Sequence, residues 1–398
     1  MVEAVQVWLQ HIRALSKDIG PRGSTTEGER RGAEYCAQVF KHLGLTPQVE
    51  PFTSARSIFQ PHVLAAIAML IAFIVYPLAG RVSAITAATI SILALGSDLA
   101  ELSFRENPLR WVLPKGPSQN VVATLPAASE HRQDLVLIGH LDTQRTPLVF
   151  SSQRWVDTYK AFTTVAFVLF AAQVALFLLG AITQWVWIWP ATSLSAIGAV
   201  LLMAMCIQAD STPFTAGAND NATAAGLVLT LAQQLRDEPL QHTRVWLVCT
   251  GCEEVQHYGA VDFFQRHRAE LRQPVTIALE MLGCAGPAWL TKEGIVIPFY
   301  ADRQLVALAE QLAAHHPEWG AYAAHINGGN TEMADALRLG IPAITLTGMT
   351  RDGNLPYWHQ VGDTYDKIDP EVLKRAYAFT WDYIRLIDEH GLGHRSVH

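Results

Sequence analysis

The sequence predicts a mixed α/β fold: a mostly parallel sheet sandwiched by helices and interrupted by two α-helical membrane hairpins. Three observations predict it. Short apolar runs alternate with helical patterns along most of the chain. Polar clusters fall where those runs end, the place where open α/β sheets gather ligands. Two pairs of long uncharged segments break the alternation.

The first stretch, MVEAVQVWLQHIRALSKDIGPR, mixes charges into a helical pattern. It has no continuous apolar core, so it does not read as a secretory signal. Four apolar segments follow in two pairs. Val63–Gly80 and Val82–Ser97 are separated by Arg81, and Ala161–Gly180 and Trp185–Ile207 by a short polar turn. A spanning helix needs about 20 apolar residues. The first, third and fourth segments read as long enough. The second reads as short, with a tilted or re-entrant placement as its alternative. Trp155, Trp185, Trp187 and Trp189 stand near the ends of the second pair, where membrane interfaces favour aromatics. The competing reading is a set of buried helices in a soluble core. Two paired runs this long and uncharged are rare there.

Asp134–His140, Arg244–Thr250, Val275–Leu282 and Ile341–Leu346 read as strands. Ala224–Leu235, Val261–Glu270 and Pro370–Glu389 read as helices. The division that follows is one discontinuous domain, 1–60, 105–155 and 210–398, with hairpins at 61–104 and 156–209. Composition agrees. Of 398 residues 50% are hydrophobic and only 16% charged, against about 25% in ordinary soluble chains. The deficit is local: Ala161–Ala209 carries no charge at all. A net charge of −7 gives no reason to expect nucleic acid as a partner. Five cysteines, odd and scattered, exclude a disulfide scaffold. Cys249-x-x-Cys252 has no second pair, so Cys249 reads as a small apolar residue at a strand end.

Five polar clusters could carry chemistry. His140 and Asp142 follow a strand two residues apart; an imidazole ligand needs a carboxylate or carbonyl to set its tautomer, though a surface loop reads as well. Asp220 opens a small-residue helix, as an N-cap or as a carboxylate bridging two metals. Glu253 and Glu254 repel one another. Either solvent separates them, or one binds a cation while the other takes a proton from an attacking water. Glu280 sits in an apolar strand, where an unpaired carboxylate is expensive, so a metal or arginine partner is expected. His359 follows two aromatics and precedes Asp363-Thr364, which resembles a cap for a later turn. His257 reads as a residue at a helix start, and the tail HGLGHRSVH as flexible. Asn221-Ala222-Thr223 matches a glycosylation sequon by chance.

Taken in order, IGPRGSTTEGERRGAEYCAQVFKHLG, GHLDT, GANDNATAAG, EEVQHYGA, ALEMLG, GGNTEMADALRLGIPAITL and YWHQVGDTYD resemble metallopeptidase family twenty-eight. Its members are zinc aminopeptidases with two co-catalytic metals. The resemblance covers nearly all of the chain outside the hairpins. It implies the zinc exopeptidase fold and two Zn2+ ions, with Co2+ or Mn2+ as alternatives. It implies that His140 shares one ion with Glu280, that Glu254 and His359 hold the other, and that Asp220 bridges both. Glu253 would be the general base and acid, and Asp142 the residue orienting His140. Two departures are legible. Glu280 stands where the family usually has Asp. Thr331-Glu332-Met333 replaces a Ser-Asp-His that shapes the substrate pocket, leaving Thr331, Glu332 and Tyr357 as pocket candidates, with Tyr365 as a second tyrosine near the site.

The expected activity is hydrolysis of N-terminal peptide bonds, with a peptide as substrate and the lipid bilayer as a second partner through four helices. The alternatives are a glutaminyl cyclase or amidase acting on a non-peptide or lipid-like substrate, or a catalytically dead membrane scaffold. Both hairpins leave and re-enter one domain, which therefore lies on one side. Arg56, Arg105, Arg110, Arg154 and Lys160 flank the spans on that side and only Arg81 lies at a tip. This bias puts the catalytic domain in the cytoplasm of a bacterial inner-membrane protein.

Overall fold

The structure, a computed structural model, describes residues 2–392. In chain order the helices are α1 Val2–Arg13, α2 Glu27–His42, α3 Gln60–Val75, α4 Gly80–Leu102, α5 Gln153–Thr183, α6 Ile188–Ala191, α7 Ser193–Asp210, α8 Thr223–Asp237, α9 Tyr258–His267, α10 Arg303–His315, α11 Glu332–Arg338 and α12 Pro370–His390. The strands are β1 Gln48–Ala55, β2 Lys115–Leu125, β3 Gln133–His140, β4 Thr243–Thr250, β5 Pro274–Glu280, β6 Ala288–Glu293, β7 Phe299–Tyr300, β8 Tyr322–His325 and β9 Ala343–Thr347. Positions 393–398 of the histidine-bearing tail lie outside the described residues. The chain divides into two compact units: 1–56, 116–144 and 214–398 in one, 57–115 and 145–213 in the other.

The first unit is built on one sheet of order β1-β2-β4-β3-β5-β9-β6-β7, with β8 beside β6. Its centre is parallel: β4, β3, β5 and β9 run the same way. Every residue of β3, QDLVLIGH, is buried. That is the pattern of a strand covered on both faces, and it explains why the run reads as apolar rather than alternating. α8 is the closest cover. A Cβ added at Gly139 would stand 2.8 Å from the Ala224 Cβ, so glycine at this point of β3 lets the helix approach. α1 is pinned against α8 by Trp8, whose Nε1 donates to the Thr223 carbonyl at 2.7 Å.

The second unit contains α3 to α7 and is packed inside out. Many of its buried positions are small, including Ala66, Ala72, Ala87, Ser91 and Ala199, all 0% exposed. Its large aliphatics point outward: Ile74 is 62% exposed, Val168 63% and Leu201 52%. Small residues let helix backbones approach closely. Tyr76 stacks on Phe177 with ring centroids 4.5 Å apart, and Gln173 donates to the Met69 carbonyl at 3.0 Å.

Three helices here are long and apolar enough to cross a membrane: Gly80–Leu102, Gln153–Thr183 and the run Ile188–Asp210. The lengths expected for the first pair are reversed. α3 is the short one, 16 residues or about 24 Å, because Pro77 stops it. α4 is 23 residues because the charges that seemed to end it are neutralised inside the unit. Asp98 meets His62 at 2.6 Å, and the fully buried Glu101 pairs with Arg110 and accepts from Asn107 at 2.7 Å. Arg110 is therefore buried and paired with Glu101 rather than an exposed charge flanking these helices.

Candidate active site

Four parallel strand ends meet at one edge of the first unit's sheet. Register sets them level: His140 pairs with Thr250, and Glu280 with Thr347. The loops that leave these ends carry Asp142, Glu253 and Glu254, and His359. The turn Ala218–Ala222 ahead of α8 brings in Asp220.

These loops are tied together by side chains that reach across the sequence. The Asp142 backbone carbonyl faces His140 Nδ1 at 3.1 Å, while its carboxylate accepts the Glu253 and Glu254 amides at 3.0 and 3.1 Å and the Ser24 hydroxyl at 2.6 Å. Asp363 does not cap a following turn. Its carboxylate accepts the Asn219 and Asp220 amides at 2.6 and 2.9 Å. Asn221 donates to Glu280 Oε2 at 3.0 Å and accepts from the Met281 amide, which gives the sequon a structural use. Gln144 donates to Glu254 Oε2 at 3.0 Å. Backbone strain collects here too. Cys252, Gln256, His257, Met281, Tyr357 and His359 all have φ between +52° and +89°. Side chains adopt that region at a cost of about 1–3 kcal/mol each, and such residues gather at functional sites.

The result is a compact nest of donors. Asp220 faces two ways: Oδ1 is 3.5 Å from His140 Nε2 and Oδ2 is 3.5 Å from His359 Nε2. Glu280 Oε2 lies 3.6 Å from His140 Nε2, and Glu254 Oε2 lies 3.2 Å from His359 Nε2. Ligand atoms bound tetrahedrally to zinc at 2.0–2.1 Å stand about 3.3 Å from one another. In the two groups, His140-Asp220-Glu280 and Asp220-Glu254-His359, the histidine-to-carboxylate distances of 3.2–3.6 Å are near that spacing, all ligand atoms lie within 4.8 Å of one another, and Asp220 is shared. A third combination, His140-Glu253-Glu254, is also within reach. Two carboxylate oxygens at the centre, Asp220 Oδ2 and Glu254 Oε1, are buried with no hydrogen-bond donor. A buried anion without a donor calls for a cation. On spacing and on donor chemistry the residues fit zinc.

The charges carry the same message. Burial, reinforced by the neighbouring Glu254 charge, pushes the Asp220 carboxyl well above its usual range. Burial and then Glu253 do the same to Glu254. Burial would depress His140, but the charges of Glu253 and Glu280 carry it well above the ordinary histidine value. His359 goes the other way, lowered by burial that Asp220 only partly offsets. Glu253 is the exception among the carboxylates. Burial is outweighed by His140 and His257, and its carboxyl falls to about 2. Burial thus disfavours the charged forms of Asp220 and Glu254, which a cation would compensate, while the two histidines favour the charged form of Glu253.

All seven residues named from the strand ends are thus brought together. The pocket candidates divide. Thr331 and Glu332 are buried: the Thr331 hydroxyl donates to Glu293 at 2.8 Å, and Glu332 accepts from Thr250 at 2.7 Å. Tyr357 is half-buried, two residues before His359, and Tyr365 is half-buried as well. Sequence reasoning missed Arg22, Asp363 and the pair His257–Asp335. Arg22 stood inside a quoted motif, but nothing local showed that it would be completely buried. The Cys249 and Cys252 thiols are free and buried.

Glu293, bonded to the Thr331 amide and hydroxyl, offers a pH test. Burial, partly offset by the Thr331 amide and hydroxyl, pushes its carboxyl up to about 8 from the ordinary 4.5. The folded form keeps a proton that the unfolded chain has lost. Its stabilising contribution is therefore full below about pH 4.5 and is lost as pH rises through about 8. Glu293→Gln keeps an acceptor for the Thr331 amide and has no charge to bury. Thermal melts of both proteins should show the variant gaining on the wild type between pH 6 and pH 9. A constant offset across that range would refute the buried-proton account.

Residues 200–384 match the model of Peptidase family M28. That span includes Asp220, Glu253, Glu254, Glu280 and His359 and leaves out His140 and Asp142. No curated protein matches the chain significantly. Among solved structures, a leucine aminopeptidase precursor from Bacteroides thetaiotaomicron is similar at a TM-score of 0.57 and 12% identity, over 96% of each chain. A glutaminyl cyclase from Tannerella forsythia is similar at 0.56 and 15%, over 97% of this chain and 98% of that one. A zinc aminopeptidase from Bacillus subtilis is similar at 0.56 and 13%, over 96% and 94%. The resemblance to peptidase family M28 drawn from the motifs holds, and at these identities the structural likeness establishes the zinc aminopeptidase fold.

Proposed function

We propose that this protein is a membrane-anchored dinuclear zinc exopeptidase that removes N-terminal residues from peptides. The observation that carries the proposal is Asp220, with one oxygen toward His140 and the other toward His359, and with a place in both the group that includes Glu280 and the group that includes Glu254. In this reading His140 and Glu280 hold one Zn2+, Glu254 and His359 the other, and Asp220 both. Glu280 reaches the group despite its extra methylene, at the same spacing as the other ligands. When bound, such a metal pair polarises the scissile carbonyl and lowers the pKa of the attacking water.

The chain's own residues do the rest. Glu253 Oε2, on the cluster side, takes the proton from the attacking water and delivers it to the leaving amine. Asp142 holds the Glu253-Glu254 backbone and the His140 ring in one arrangement. Tyr357, half-buried two residues before His359, is the candidate for contact with the substrate, while Thr331 and Glu332 are buried against Glu293 and Thr250. The inside-out packing of α3 to α7 supports anchoring in a bilayer by α4, α5 and α7, with the shorter α3 packed among them. The remaining flanking charges, Arg56, Arg105, Arg154 and Lys160, support a cytoplasmic face for the catalytic unit in a bacterial inner membrane.

Likeness to glutaminyl cyclases at the same TM-score supports a second reading, cyclisation of an N-terminal glutamine. One experiment separates them. The full chain, purified in detergent, is assayed for zinc by mass spectrometry and for turnover of aminoacyl-anilides and of a glutaminyl peptide. The proposal expects close to two zinc ions per chain, amine release from the anilides, loss with a chelator and return with zinc. Cyclisation of the glutaminyl peptide without anilide cleavage would install the second reading. Protein with neither zinc nor turnover would overturn both.

A further inference from the structure

His257 was read from the sequence as the start of a helix. It does precede α9, but its side chain is 2% exposed and lies between two carboxylates. Its Nε2 is 3.0 Å from Glu253 Oε1, and its Nδ1 is 2.7 Å from Asp335 Oδ2. Asp335, 4% exposed, is approached in turn by Arg338 at 3.2 Å. Four residues from two segments, the loop before α9 and helix α11, thus form a line: Arg338, Asp335, His257, Glu253.

The line solves a problem that the site creates. Glu253 has a flexible side chain and stands beside a place built for cations. Its other oxygen, Oε2, is 3.7 Å from His140 Nε2, and it belongs to one of the three groups able to hold an ion. Left to itself, such a carboxylate closes on the cation with both oxygens and stops being a base. With Oε1 held by His257, only Oε2 can face the centre. An imidazole with a carboxylate against each nitrogen satisfies both only by donating from both. The ring is therefore locked at each end and cannot flip. The backbone reinforces this. His257 is held at φ +54°, after Gln256 at +89°, and its amide donates to the Glu253 carbonyl at 2.8 Å. The loop folds back so that the ring lies over the glutamate four residues earlier.

Resting on the exopeptidase reading above, we infer that His257, backed by Asp335, is a positioning residue that reserves one oxygen of Glu253 for the proton transfer and keeps that carboxylate off the metals. His257→Leu removes the donor, and His257→Gln restores one near the Nε2 position. In the zinc-loaded full chain, on the best anilide substrate, the leucine variant should lose about 10–100-fold in kcat. KM should stay within about twofold, and the glutamine variant should recover most of the loss. Because His257 acts only through Glu253, the double variant Glu253→Ala/His257→Leu should be no slower than Glu253→Ala alone.

Zinc affinity, read with a competing chromophoric chelator, is the second measurement. It should be unchanged or tighter in the leucine variant, since the freed carboxylate can reach the ion. A tenfold or greater fall in zinc affinity, or slowing of the Glu253→Ala background by His257→Leu, would show a merely structural histidine and overturn the inference. Wild-type kcat in the leucine variant, with Glu253→Ala inactive, would overturn it while leaving the exopeptidase reading intact. Full activity in Glu253→Ala would instead remove the reading on which it rests.

Discussion

Glu253→Ala is expected to lower kcat by about 10²–10⁴-fold while the protein keeps its zinc. The contrast with its neighbour makes this specific. Glu254 Oε2 is 3.2 Å from His359 and its other oxygen has no donor, so Glu254→Ala removes a ligand and should lose both zinc and activity. Glu253 spends one oxygen on His257 and should cost only the proton transfer. Metal content by mass spectrometry beside anilide turnover reads both. Loss of zinc from Glu253→Ala equal to that from Glu254→Ala would make Glu253 a ligand and leave the site without its base.

Arg22→Ala should be the most damaging single change away from the metal cluster. The guanidinium is completely buried and donates to five carbonyls: Leu141 at 2.7 Å, Leu15 at 2.8, Gly217 at 2.8, Gly20 at 3.0 and Ala216 at 3.0. These belong to the N-terminal segment, the His140 loop and the turn before Asp220. Burial lowers its pKa to about 10, partly offset by Asp363 and Asp142, so it remains charged at neutral pH. Each buried acceptor left without a donor costs about 1–3 kcal/mol, and such costs do not add fully. A loss of roughly 4 kcal/mol or more follows, seen as a fall of about 10 °C in the melting temperature of the zinc-free protein. Zinc affinity should fall as well, because the turn carrying Asp220 loses an anchor. Arg22→Lys should recover little, since one compact ammonium with three donors cannot reach five carbonyls spread over three segments. Unchanged melting and zinc affinity in Arg22→Ala would dismiss Arg22 as the tie between the loops.

Legibility in the sequence followed a rule. His140, Glu254 and Glu280 could be picked out because each ends an apolar run or follows it directly, and a polar residue there breaks a local pattern. Asp220 and His359 stood out by their small or aromatic surroundings. Asp363, His257 and Arg22 were invisible as partners because each serves atoms far along the chain. Asp363 binds amides 143 and 144 residues away, and Arg22 binds carbonyls up to 195 residues away. Side-chain bonds of that span leave no periodicity to read. The length of α4 in the second unit was underestimated for a related reason. Asp98 and Glu101 appeared to end α4, but His62 and Arg110 neutralise them inside the unit and let it run to Leu102.

The sequence by itself determined the chemical inventory: which residues can bind a cation, that most of them stand at strand ends, and that four stretches are strongly apolar. Residue type and local pattern carry that information, because donor chemistry and hydropathy belong to single residues and short runs. The tertiary structure alone decided which oxygen faces which nitrogen. Sheet register levels His140 with Thr250 and Glu280 with Thr347, Asp363 and Arg22 set the turn that presents Asp220, and His257 divides the two oxygens of Glu253. Those choices depend on distances of a few ångströms between loops separated by up to 195 positions, and such distances exist only once the core has packed.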